Sequence, residues 1–185
     1  GLYNTIFKKD ILMRNKIANE DALESVTKFI FDNIGNLVSS KKISDTLTSN
    51  NCKVSQPTVE TYLKALSDSF IIYKATRYDI KGKQYLKSMA KYYVADLGMR
   101  NYLLGYKNIN RGFVLENIVY LELIRRGYKV FIGKVDNGEI DFVVFKGSEI
   151  TYIQVAESIK EAKVFEREMK PLMSIRDFNK RVVIT

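Results

Sequence analysis

The stretch GEIDFVVFKGSEITYIQVA, residues 138–156, decides how this chain is read. Two runs rich in β-branched and aromatic residues, 139–146 and 149–156, flank Gly147 and Ser148, the composition of two strands closed by a tight turn. In the first run Glu139 and Asp141 alternate with Ile140 and Phe142, so the period of two puts both carboxylates on one face. The second run ends on Gln154 and Ala156. The question is whether these residues form a catalytic centre or the outline of one without its chemistry.

Working outward, GFVLENIVYLELIRR at 112–126 predicts a long apolar helix, closed by Gly127, and YKVFIGK at 128–134 predicts a strand before the hairpin. A helix over about 162–172 and a last strand, KRVVIT at 180–185, complete the order αβββαβ. That order resembles the core of the PD-(D/E)xK nucleases. Such a site needs an acid on the second strand, Glu-x-Lys on the third and often a Glu on the first helix. Carboxylate oxygens hold Mg²⁺ against the scissile phosphate, and the Lys steadies the attacking water or the developing charge.

The positions to compare are Glu116, Asp141, Gln154 and Ala156, the first three being the candidate catalytic and metal-ligating residues. Glu116 shares a helix face with Phe113, Tyr120 and Leu123, whereas Glu122, Arg125 and Arg126 lie opposite. A carboxylate on a buried face needs a metal, a salt bridge or a backbone hydrogen bond. Asp141 fits a strand-borne ligand. Gln154 offers only a neutral carbonyl oxygen, and Ala156 cannot do what Lys does. Losing a charged ligand and the Lys together costs several kcal/mol of transition-state stabilisation. Lys160 or Lys163 on the next helix, with Glu157 close by, would be the route to rescue.

Composition limits the rest. The chain has 185 residues, 46% of them hydrophobic, which is enough for two small cores. Its 30 Lys and Arg exceed its 21 Asp and Glu, giving a net charge of +9 that favours a polyanion or an acidic protein as partner. With no histidine, Ser-His-Asp, Cys-His and His-ligated zinc chemistry are excluded. A single Cys52 forms no internal disulfide, and neither a spanning apolar run nor a signal peptide is present, so the chain reads as cytoplasmic. It contains no GxxxxGK[ST] loop for nucleotide phosphates, and its start at Gly1 reads as that of a fragment of something longer.

The first hundred residues predict a helical, basic module. EDALESVTKFIFDNI at 20–34 carries Leu23, Val26, Phe29, Ile30 and Ile34 on one face. A short helix capped by Ser39 or Ser40 and another capped by Ser55, with Pro57 in its first turn, follow as a helix-turn-helix pattern. Residues 70–77 and 90–94 then read as strands of a hairpin around a Lys-Gly-Lys turn, a candidate wing. From 74 to 91 the six basic residues Lys74, Arg77, Lys81, Lys83, Lys87 and Lys91 face one acid, Asp79. Together with Lys64 they are the candidate nucleic-acid contacts. A Lys-rich hairpin also serves as a solvated edge protected from aggregation. On the candidate recognition helix Gln56, Thr58, Glu60, Thr61 and Lys64 are a mixed set whose Glu60 repels phosphate, which speaks against sequence-specific readout.

Taken together, the blocks GLYNTIFKKDILMR, FIIYKATRYDIKGKQYLKSMAKYYVADLGMRNYLLG, GFVLENIVYLELIRRGYKVFIGK, EIDFVV, YIQVA and EREMKPLMSIRDFNKRVVIT resemble the C-terminal region of prokaryotic AAA+ superfamily ATPases, a domain of unknown function that follows the ATPase core. The resemblance implies an α+β chain, with a winged-helix module over 1–105 and an α/β PD-(D/E)xK nuclease-like, restriction-endonuclease-like module over 106–185. It implies that ATP is bound and hydrolysed only in the full-length protein, by an ATPase domain upstream of Gly1. Glu116 and Asp141 match the nuclease motif; Gln154 and Ala156 depart from it. Arg167 and Glu168 match the group's pattern, with a buried pair as the plain account.

Three functional expectations follow. The first is a non-catalytic accessory region that holds nucleic acid. The second is a working nuclease using Glu116, Asp141 and Gln154 with Mg²⁺ or Mn²⁺ as cofactor and a displaced Lys. The third is a protein-interaction module that couples the ATPase to a partner or to further copies of itself.

Overall fold

A computed structural model describes residues 11–15, 17–105, 110–136 and 138–185. The chain is mixed α+β, with helices and a six-stranded sheet in the order β2-β1-β3-β4-β5-β6. It divides into two units, Gly1–Lys74 with Tyr92–Asn108, and Ala75–Lys91 with Ile109–Thr185.

The first unit holds α1 (Glu20–Asp32), α2 (Ser40–Ser49), α3 (Gln56–Asp68) and α4 (Leu97–Leu104). Each begins where a short polar side chain satisfies free amides. Asn19, Ser39, Ser55 and Asp96 accept from Ala22, Lys42, Thr58 and Gly98 respectively. The faces anticipated from spacing are the buried ones: Leu23, Val26 and Ile30 on α1, Ile43 and Leu47 on α2, and Val59, Leu63 and Leu66 on α3. α4 has a weak apolar pattern and was not expected; Asp96 starts it, and the buried Arg100 ties it down by donating from Nε to the Phe31 carbonyl at 3.0 Å.

The hairpin strands β1 (Ile72–Asp79) and β2 (Gln84–Val94) begin and end in the first unit, but their span Ala75–Lys91 belongs to the second. The reason is parallel pairing of β1 with β3, Arg77 opposite Ile132 and Asp79 opposite Lys134. A boundary at 105/106 therefore differs from the division observed. The expected wing is the edge of a larger sheet.

The second unit continues through α5 (Arg111–Arg125), β3 (Lys129–Val135), β4 (Gly138–Lys146), β5 (Glu149–Val155), α6 (Ala162–Met173) and β6 (Lys180–Ile184). Gly127, at φ 78°, turns the chain out of α5 while the Tyr128 amide donates to the Leu123 carbonyl. β3, β4 and β5 are antiparallel neighbours, and β6 joins β5 in parallel. One core beneath them gathers Tyr78, Ile80, Ile140, Val143, Tyr152, Leu172 and Ile175.

An irregularity in β4 sets where Asp141 stands. Phe131 pairs with Val143 but Gly133 pairs with Ile140, so Asp141 and Phe142 together face Ile132 as a β-bulge. The extra residue breaks strict alternation: Ile140 and Val143 both enter the same core, while Phe142 packs on Tyr120 of α5 at 6.0 Å between ring centroids. Gly133 permits this closeness, because a Cβ there would stand 2.8 Å from both Ile140 Cβ and Val143 Cγ2.

Candidate functional site

The bulge brings Asp141 to the end of the β4-β5 ladder, where side chains take over from backbone pairing. Asp141 Oδ2 accepts from the Val155 amide at 2.8 Å, and the Asp141 amide donates to Gln154 Oε1 at 3.3 Å. Gln154 Nε2 donates in turn to Glu168 Oε2 of α6 at 2.9 Å. The other oxygen of Glu168 is gripped by Arg167 through Nε at 2.8 Å and Nη2 at 2.6 Å. Gln154 and Glu168 are both buried, so this chain of bonds leaves neither with an unmet polar group. The neutral amide is what the position requires, since it must accept from a backbone N–H on one side and donate to a carboxylate on the other.

On the other side of Asp141 stands Lys91, from the buried end of β2. Its Nζ lies 3.0 Å from Glu116 Oε1, 2.6 Å from Glu139 Oε1 and 4.0 Å from Asp141 Oδ1. Lys91 is only 5% exposed and Glu116 6%. Burial disfavours the Lys91 ammonium, but the charges of Glu116, Glu139 and Asp141 outweigh it and hold its pKa above the ordinary lysine value. Asp141 moves the other way. Its burial first, then the Glu116 charge, push it up to about 7 against the pull of Lys91 and the Val155 amide.

The structure thus unites the three sequence candidates Glu116, Asp141 and Gln154, and adds Lys91, Glu139 and Glu168. The expectation that Lys91 contacts nucleic acid is corrected: its ammonium is buried among carboxylates and presents nothing to a phosphate. Lys160 and Lys163 remain exposed, and Glu157 pairs with Arg111 at the surface at 3.3 Å, so the expected route to a displaced lysine is not the one built. The missed signal was local. Lys91 interrupts Ala90, Tyr92, Tyr93 and Val94, a run apolar enough to be a buried strand end.

The arrangement does not suit a divalent cation. An ammonium already bridges Glu116 and Glu139, the Gln154 carbonyl is engaged by a backbone amide, and among the described residues no group of three or more acidic, His or Cys side chains is disposed to hold a metal. A fixed positive charge instead meets three carboxylates, of which Glu116 is buried and Glu139 reaches the surface, with Asp141 drawn toward its protonated form.

The remaining basic candidates are divided between the units. Lys64 and Lys74 belong to the first, with Lys64 in an exposed i,i+4 pair with Asp68. Arg77, Lys81, Lys83 and Lys87 belong to the second. Lys81 pairs with Asp136 at 2.9 Å across an exposed surface, Lys83 and Lys87 are exposed, and Arg77 is half-buried. No helix among the described residues is long and apolar enough to cross a membrane.

An uncharacterized protein of Haemophilus influenzae is 44% identical over 185 residues, covering 100% of this chain and 46% of that protein. Uncharacterized protein MJ1544 of Methanocaldococcus jannaschii is 35% identical over 169 residues, covering 89% of this chain and 37% of that protein. The chain spans less than half the length of these curated relatives. No solved structure matches it. A family model described as "Domain of unknown function (DUF8612)" matches residues 1–110, more than half of the chain, which therefore belongs to that family.

Proposed function

We propose that this chain is an accessory region of a larger AAA+ superfamily ATPase, built from a winged helix and a PD-(D/E)xK nuclease-like module, which holds nucleic acid without cutting it. The observation that carries the reading is the ion-paired Lys91, whose Nζ stands where the carboxylates of a nuclease would converge on a cation, 3.0 Å from Glu116 and 2.6 Å from Glu139. The order α5-β3-β4-β5-α6-β6 supports the nuclease-like fold, and the three capped helices α1, α2 and α3 support the helical part of the winged helix, whose hairpin is shared with the larger sheet. The lengths of the relatives leave room for an ATPase domain outside the matched part, where ATP would be bound. Lys64, Lys74, Lys81, Lys83 and Lys87 are exposed, and they supply charge for sequence-independent contact with phosphates.

The test is incubation of the chain with labelled single-stranded and duplex DNA and RNA, with Mg²⁺ or Mn²⁺, at graded salt. Retention that falls steeply with salt, with no product on a denaturing gel, is expected. Metal-dependent cleavage abolished by Asp141→Ala would overturn the non-cleaving reading. No retention even at low salt would overturn the nucleic-acid reading and leave a protein-interaction module.

A further inference from the structure

Four aromatic rings from four neighbouring strands of the second unit form one cluster: Tyr85 of β2, Tyr78 of β1, Phe131 of β3 and Phe145 of β4. Ring centroids are 5.4 Å apart for Tyr78 and Tyr85, 4.9 Å for Tyr85 and Phe131, and 5.6 Å for Phe131 and Phe145. Tyr78, Phe131 and Phe145 belong to or pack on the core under α6, but Tyr85 is 61% exposed. A large aromatic side chain left in water at the edge of an aromatic cluster, and held there by two tilted ring contacts, presents a face to another planar group.

The flanks of the cluster are positive. Lys87 lies two residues along β2 from Tyr85, and so on the same side of the strand, and Lys129 is the direct cross-strand partner of Phe145. Both are exposed, as is Lys83 at the turn before Tyr85. The nearby carboxylates are engaged elsewhere. Asp79 accepts from the Gly82 amide at 3.2 Å and pairs with Lys134, and Asp177 accepts from the Tyr152 hydroxyl at 2.6 Å.

We propose that Tyr85, backed by Tyr78 and Phe131, is a stacking platform for an unpaired base of single-stranded nucleic acid, with Lys83, Lys87 and Lys129 holding the adjoining phosphates. The combination of aromatic face and lysine flank suits a single strand better than a duplex, whose bases have no free face to stack. The inference rests on the nucleic-acid reading under Proposed function and narrows its substrate.

The chain has no tryptophan, so Tyr85→Trp installs a unique fluorophore at the exposed corner of the cluster. The experiment titrates this variant with a labelled thymidine oligonucleotide and with a duplex of equal length, reading tryptophan quenching and label anisotropy together. The expected result is quenching that saturates with binding of the single strand and is absent with the duplex. Tyr85→Ala should bind the single strand about tenfold more weakly, within the range for loss of one stacked base, with an unchanged salt slope. Binding without quenching, and an unaffected Tyr85→Ala, would overturn the platform while leaving the nucleic-acid reading intact. Absence of binding to either oligonucleotide at low salt would overturn both.

Discussion

Replacing Lys91 by Met keeps most of the volume of a side chain that is 6% exposed and removes its charge. Glu116, with a side chain 8% exposed, then loses the ammonium 3.0 Å away, and Glu139 loses it at 2.6 Å. Glu139 is 26% exposed and water relieves part of its loss, so the cost falls mainly on Glu116 and on Asp141 beside it. Breaking a buried pair by removing one partner costs about 3–5 kcal/mol, because the surviving charge stays in a dry site. With a urea slope of about 2 kcal/mol/M, the unfolding midpoint should fall by about 1.5–2.5 M at pH 8. The pH dependence sharpens the test. Asp141 has its folded pKa raised to about 7 from an ordinary 3.8, so its contribution to stability is fully present below about 3.8 and is lost as pH rises through 7. Removing the Lys91 ammonium raises the acid further, so the deficit of the variant should shrink at pH 5. Urea melts of wild type and Lys91→Met at pH 5 and pH 8 measure this directly. A midpoint shift of a few tenths of a molar, equal at both pH values, would refute the claim that Lys91 compensates buried carboxylates.

Other perturbations reach different parts of the account. Gly133→Ala forces a Cβ to within 2.8 Å of Ile140 and Val143 at the bulge, and should cost about 1–3 kcal/mol in urea melts with little change in slope. Gln154→Glu brings a second carboxylate to the position 2.9 Å from Glu168; it should destabilise the chain at pH 8 and recover at pH 5, whereas Gln154→Ala should show no such recovery. Lys83→Ala/Lys87→Ala removes two exposed charges and should lower the slope of log affinity against log salt by about 1.4 for single-stranded DNA, measured by anisotropy.

Much of the fold was legible because its signals are local. Ser39 and Ser55 begin their helices as cap chemistry requires, the apolar faces of α1 and α3 follow the 3.6-residue period, and Gly147 turns the hairpin whose sequence first suggested the sheet. The union of Glu116, Asp141 and Gln154 was also legible, since each sits at an anticipated place in the helix-strand order. What was hidden depends on pairings between distant segments. Nothing in β1 alone announces a parallel partner at β3, and without that pairing the basic hairpin looks like a free wing. Lys91 is 25 residues from Glu116, and counting it with its basic neighbours concealed that it sits inside an apolar run. The bulge was invisible for a related reason: period-two alternation assigns Asp141 a face, but the extra residue opposite Ile132 sets where it points.

The most direct test of the central claim, that a built-in ammonium takes the place of a cation, is a calorimetric titration of Mn²⁺ into wild type, Lys91→Ala and Glu116→Ala/Asp141→Ala at low salt. The account predicts no binding to wild type or to the double variant, and binding to Lys91→Ala, where Glu116, Glu139 and Asp141 are no longer held around the ammonium and move together onto the ion. Stoichiometric binding to wild type that disappears in Glu116→Ala/Asp141→Ala would contradict it, and would mean that Lys91 serves a metal site instead of replacing one.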